Sequence, residues 1–149
     1  MSDLRDLYQQ LIIDHGRNPR NFKKLASANY IKEGFNPLCG DRLTLYLFVK
    51  NNIIIETSFD GAGCAISMAS ASLMTEALRD KNLLEAELLF NAFHLLITKG
   101  DNKADENLLG KLSVLSGVHE FPARVKCATL AWQTMIAAIH NDPNIISTE

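Results

Sequence analysis

The 149-residue chain carries 47% hydrophobic and 21% charged residues, a globular balance long enough for one domain, residues 1–149, to bury a core. A net charge of −2 offers no basis for nucleic-acid binding, and no apolar run reaches membrane-spanning length. The opening MSDLRDLYQQ lacks the basic-then-apolar form of a signal peptide, so a cytoplasmic protein is expected.

Ser2 or Asp3 can cap a first helix, with Leu4, Leu7, Tyr8, Leu11 and Ile12 at helical spacing. The segment His15 to Asn21, rich in breakers and cations, ends it in an exposed turn. Asn29 to Gly34 reads as a short strand. Arg42 to Lys50 and Ile53 to Asp60 are stronger strands, rich in β-branched and aromatic residues, with Asn51-Asn52 as a tight hairpin turn. Gly61-Ala62-Gly63 closes the second. A small-residue helix follows over Ile66 to Arg79, and Asn82 with Glu85 forms a capping pattern for a helix to Lys99. After a polar loop, Gly100 to Asp105, a short helix is expected over Glu106 to Leu115, ending near Gly117. Pro122 suits the first turn of a last helix to His140, which Asp142-Pro143 ends before a loose tail. The pattern is α+β: a small three-stranded antiparallel sheet packed against several helices.

Three cysteines, Cys39, Cys64 and Cys127, do not make a disulfide framework. They read either as separate buried thiols or as a shared metal or reactive-sulfur site. A two-residue turn at Asn51-Asn52 makes opposed residue numbers sum to 103, which sets Cys39 opposite Cys64. Asp41, two residues from Cys39, projects from the same face. Cys64 and Cys127 both fall near predicted helix starts, where the helix dipole favours thiolate over thiol. Three thiolates and one carboxylate compose a four-coordinate zinc shell, although no paired C-x-x-C spacing is present. Separate structural thiols remain the other reading of the spacing. His94 reads as a core or partly exposed residue and His119 and His140 as solvated. His15 has the better case for a role, with Arg17 and Arg20 after it. Ser67, Ser70, Ser72, Trp132 and Met135 read as packing residues.

The stretches LYQQLIIDHGRNPRNF, GFNPLCGDRLTLYL, FDGAGCAISMASASLMTEAL and VKCATLAW resemble those of the U-type iron–sulfur cluster assembly proteins, which include IscU, SufU and the N-terminal part of NifU. The resemblance runs almost the full length. Lys126 precedes Cys127 where IscU-like scaffolds typically carry a histidine, and Gly100 to Phe121 resembles the insertion of the SufU-like branch. A lysine ammonium is a poor metal ligand at neutral pH.

The resemblance implies zinc held by Cys39, Asp41, Cys64 and Cys127. It implies a pyridoxal-phosphate-dependent cysteine desulfurase as partner, Cys39 as acceptor of its persulfide sulfur, and Arg124 assisting the encounter. Downstream iron–sulfur assembly proteins would receive the sulfur. One alternative is a scaffold for a transient [2Fe–2S] cluster on the same cysteines. Another is a noncatalytic, zinc-stabilised binding module.

Overall fold

The computed structural model describes residues 2–38, 40–100, 106–141 and 146–147. Helix α1 spans Ser2–Arg17, so both candidate caps lie within it. Strands β1 (Tyr30–Asn36), β2 (Asp41–Lys50) and β3 (Ile53–Ala62) form an antiparallel meander, as the sequence predicts. Helix α2 covers Ala65–Leu78 and α3 covers Leu83–Lys99. The short α4 (Glu106–Leu109) runs into a 3₁₀ helix over Gly110–Glu120, followed by α5 at Pro122–Ile139. A two-residue strand β4, Ile146–Ser147, pairs parallel with β1 and gives the order β3-β2-β1-β4. The expected loose tail is therefore tied to the sheet at these two residues, while Asp142-Pro143 lies outside the described residues. Among the described residues no helix is long and apolar enough to cross a membrane.

The hairpin turn forms where Asn-Asn predicts it. Asn51 and Asn52 hold φ of 54° and 63°, left-handed values that asparagine tolerates and that match the twist of the flanking strands. Lys50 pairs with Ile53 and Val49 with Ile54, in the expected register. A bulge then intervenes: Phe48 pairs with Glu56, leaving Ile55 as the extra residue, and opposed numbers sum to 104 up to Arg42–Ala62. The register that set Cys39 against Cys64 is thus displaced by one residue at the open end.

The helices pack on one face of the sheet. Trp132 of α5 stacks on Phe93 of α3 with ring centroids 4.5 Å apart, in a core that includes Leu43, Leu45, Leu47 and Phe59 from the strands. The Trp132 indole N–H donates to Ser70 Oγ at 3.2 Å, and Ser70 donates to the Ala128 carbonyl at 2.6 Å, joining α2 to α5. These residues are the packing groups the sequence suggests. Helix α5 approaches β1 at Gly34, where an added Cβ would lie 2.1 Å from Thr134 Oγ1. That contact lets α5 run close beside the strand. Two helical turns towards its N-terminus, Cys127 reaches the end of β1.

The expected short helix beyond Glu106 is mostly 3₁₀. Leu112, Leu115 and Val118 are buried at intervals of three residues, the period that puts side chains on one stripe of a 3₁₀ helix. Helix α3 begins with the predicted capping box: Asn82 Oδ1 accepts from the Glu85 N–H at 2.7 Å, and Glu85 Oε1 accepts from the Asn82 N–H at 2.9 Å.

Candidate metal centre

The end of β1, the start of β2, the start of α2 and the second turn of α5 meet at one place. Asn36 closes β1 with a fully buried side chain. Its Oδ1 accepts from the Leu38 N–H at 3.3 Å, and its Nδ2 donates to Asp41 Oδ2 at 3.3 Å and to Cys127 Sγ at 3.6 Å. Asp41 opens β2, is 0% exposed, and accepts the Cys64 N–H on Oδ1 at 2.8 Å. Both of these donors are neutral groups. A carboxylate removed from water is stable when it is hydrogen-bonded and faces a cation.

Cys64 is the N-cap of α2, with extended backbone (φ −71°, ψ 168°), and its Sγ accepts the Ser67 N–H at 3.4 Å. Its sulfur therefore sits on the positive end of the helix dipole, as predicted. Cys127 does not. Phe121 is the N-cap of α5, so Cys127 lies in the second turn, fully buried, with its Sγ 3.7 Å from the Ala123 carbonyl. Gly63 completes the enclosure, since a Cβ there would lie 2.7 Å from Asp41 Oδ1.

Ligand atoms of Asp41, Cys64 and Cys127 all lie within 4.8 Å of one another. Three of the four residues singled out from the sequence thus converge. Cys39 lies outside the described residues; its neighbours Leu38 and Gly40 belong to the turn that joins Asn36 to Asp41. Gly40 adopts φ of +73° with open space where a side chain would stand. Arg124 lies on the exposed first turn of α5, one turn before Cys127, and Lys126 is half-buried.

His15 is not in an exposed turn. It lies on α1, 1% exposed, and its Nδ1 is 2.7 Å from Ser72 Oγ on α2. Ser72 Oγ also accepts the Arg20 N–H at 2.8 Å, and the other imidazole nitrogen, Nε2, lies 3.8 Å from Glu76. Burial, reinforced by the Arg20 charge and opposed by Glu76 and Asp14, holds the His15 pKa below its ordinary value. Gly16 lies close against Ala65, where an added Cβ would stand 3.1 Å from the carbonyl oxygen, so α1 packs tightly on the start of α2. His94 is exposed and stacked on Phe90, and His140 is exposed and bonded to Glu87.

Sequence reasoning gave Asn36 no role, although it begins the stretch Asn36-Pro37-Leu38-Cys39-Gly40-Asp41. An amide ending a strand ahead of a cysteine and an aspartate is the signal that could have found it.

The NifU-like N terminal domain family matches residues 7–141. The chain is 40% identical over 134 residues to the zinc-dependent sulfurtransferase SufU of Bacillus subtilis strain 168, covering 90% of each chain. It is 38% identical over 133 residues to the iron–sulfur cluster assembly scaffold protein IscU of Thermotoga maritima, covering 89% of this chain and 92% of that one. Among solved structures, a protein assigned as an iron–sulfur cluster assembly scaffold for the SUF system of Fervidobacterium islandicum AW-1 aligns with a TM-score of 0.83 and 33% identity. That alignment covers 91% of this chain and 98% of the other.

Proposed function

We propose that this chain, which belongs to the NifU-like N-terminal domain family, is a cytoplasmic iron–sulfur cluster assembly protein whose Cys39 accepts persulfide sulfur from a cysteine desulfurase. The observation that carries the reading is the convergence of Asp41, Cys64 and Cys127 within 4.8 Å at the base of the turn that holds Cys39.

The donor set fits zinc. Thiolates suit a borderline-soft cation, and with Cys39 added to the two sulfurs and one carboxylate the count reaches the four of a tetrahedral site. Bound there, zinc would hold the cysteines as thiolates and balance the charge of Asp41. Asn36 and the Cys64 N–H keep Asp41 aimed at the sulfurs. Cys127, buried on α5, is the fixed sulfur, and Cys64 is the sulfur stabilised by a helix start.

Cys39 acts when the pyridoxal-phosphate-dependent desulfurase docks. Its thiolate attacks the terminal sulfur of the enzyme's cysteine persulfide. A new S–S bond forms on Cys39, the enzyme's S–S bond breaks, and the electron pair returns to the enzyme's cysteine as thiolate. Arg124, exposed one turn from Cys127, supplies positive charge beside this exchange of anions. Downstream iron–sulfur assembly proteins then receive the sulfur.

The likeness to the Thermotoga scaffold supports a second reading, in which the same three thiolates hold a transient [2Fe–2S] cluster. Anaerobic reconstitution with iron and sulfide separates the two. The sulfur-acceptor reading expects zinc to persist and the desulfurase to be stimulated, whereas a stable cluster that transfers to an apo-acceptor establishes the scaffold. A noncatalytic zinc-stabilised module expects no persulfide on any cysteine.

A further inference from the structure

We propose that a polar cavity beside the end of α2 binds a free α-amino acid, held by both its carboxylate and its ammonium. The cavity, of about 280 Å³, is lined by Asn21, Lys23, Glu56, Thr57, Thr75 and Arg79, all of them polar. It lies at a gap in the edge of β3 that faces away from β2. On one side of the gap the chain before β1 pairs with the strand. There the Phe59 N–H donates to the Asn21 carbonyl at 3.0 Å, and the Lys23 N–H donates to the Phe59 carbonyl at 2.9 Å. On the other side the turn after α2 does the same. The Ile54 N–H donates to the Lys81 carbonyl and the Asp80 N–H to the Ile54 carbonyl, both at 2.8 Å.

Thr57 stands between these two pairings. Alternation along an antiparallel ladder turns its N–H and C=O, two residues before those of Phe59, to the same edge. Neither has a backbone partner among the described residues. Its side chain is the second sign. Thr57 is 6% exposed, on the face of the sheet that carries Leu45, Leu47 and Phe59, yet its hydroxyl is bonded to none of the described residues. Valine has the same shape without the polar atom, so a threonine here points to a partner that enters the cavity.

The surrounding groups define that partner. Lys23 and Arg79 are exposed and Glu56 is half-buried, and none of the three forms an ion pair among the described residues. A simple anion meets Glu56, and a simple cation meets Lys23 and Arg79. A zwitterion answers all three. Its carboxylate accepts from the Thr57 N–H and hydroxyl beside the two cations, and its ammonium donates to the Thr57 carbonyl and Glu56. Thr75 Oγ1 accepts from Asn21 Nδ2 at 3.0 Å and donates to the Ser72 carbonyl at 2.7 Å, so these two side chains form a fixed wall. The volume falls just below that of pockets for drug-sized ligands, which selects a small amino acid. The site is separate from the metal centre: Cys64 precedes α2 and Arg79 follows it, about 22 Å apart along the helix.

Titration of the zinc-loaded full chain with L-alanine, followed by amide NMR, tests this. Saturable shifts are expected at Lys23, Glu56 and Thr57, with a dissociation constant on the order of a millimolar for so small a ligand. Acetate, which lacks the ammonium, and alaninamide, which lacks the carboxylate, should each bind about tenfold more weakly or worse. Thr57→Val should fold with unchanged zinc content, because the hydroxyl it loses has no partner, and should weaken alanine about three- to tenfold. Arg79→Gln, at an exposed position, should weaken it about tenfold and carries the test should Thr57→Val fail to fold. The absence of any saturable shift with L-alanine or L-serine would leave the cavity to water and overturn the proposal. So would inorganic phosphate or acetate binding as tightly as alanine, which makes it a plain oxyanion site, or wild-type alanine affinity in both variants.

Discussion

The backbone N–H of Cys64 donates to Asp41 Oδ1 at 2.8 Å, so the residue that starts α2 also aims the carboxylate that opens β2. Sheet and helix are thereby locked at one point, and the remaining lone pairs of Asp41 face Asn36 and the two sulfurs. The consequences for metal binding, packing and pH can be measured separately.

Asp41→Asn keeps the shape and removes the charge. The variant should fold, with zinc affinity at least about tenfold weaker in competition with a chromophoric chelator. Asn36→Ala, which removes the amide that holds Asp41 and Cys127 without removing a ligand, should weaken binding by about 10–100-fold. Wild-type affinity in both variants would mean that the metal is bound elsewhere.

Removing the metal should lower the unfolding midpoint, because a ligand bound only by the folded state stabilises it by mass action. Zinc at a thousand times its dissociation constant contributes about 4 kcal/mol. Thermal unfolding with and without chelator reads this directly. An unchanged midpoint contradicts a structural contribution from the site.

Gly34→Ala should destabilise the fold by roughly 1–3 kcal/mol, since the new methyl meets Thr134 Oγ1 and Leu130 Cδ1 across the β1–α5 contact. Because the same contact sets the reach of Cys127, zinc affinity should fall in parallel. Denaturant unfolding and metal titration on one sample would show whether the two effects move together.

The buried His15 makes stability depend on pH. Its folded pKa lies below the ordinary 6.5, so between the two values the unfolded chain binds more protons than the folded one. Its contribution is therefore complete above about pH 6.5 and is lost as the pH falls towards the folded pKa. The wild-type chain should lose stability over this window more steeply than His15→Gln, when both are measured as apo-protein. Parallel curves would contradict a neutral buried imidazole.

Much of this arrangement was legible in the sequence, for physical reasons that also mark where legibility ends. Asn51-Asn52 predicts the hairpin because asparagine accepts left-handed backbone, and Asn82 with Glu85 predicts the cap because each side chain satisfies the other's N–H. Both are local effects. The bulge at Ile55 is set by how β3 packs and shifts the open end by one residue, so the numbering argument for Cys39 and Cys64 reached the right end of the hairpin by an inexact route. Asp41 and Cys64 meet through the N-cap of α2 instead. Burial of His15 comes from the packing of α1 on α2, where it meets Ser72 and Glu76, residues far from it in the chain. A short helix is expected from Glu106, and its 3₁₀ form was legible in Leu112, Leu115 and Val118, which carry a period of three. The pairing of Ile146 and Ser147 with β1 leaves no pattern in two residues.

The central claim is that Cys39 takes the sulfur while Asp41, Cys64 and Cys127 hold the site. It is tested most directly by intact and peptide mass spectrometry after incubation with a cysteine desulfurase and cysteine, with zinc measured on the same sample. The expected result is one added sulfur atom on the Cys39 peptide, absent in Cys39→Ala, with about one zinc per chain beforehand. Persulfide confined to Cys64 or Cys127, or full desulfurase stimulation by Cys39→Ala, would contradict it.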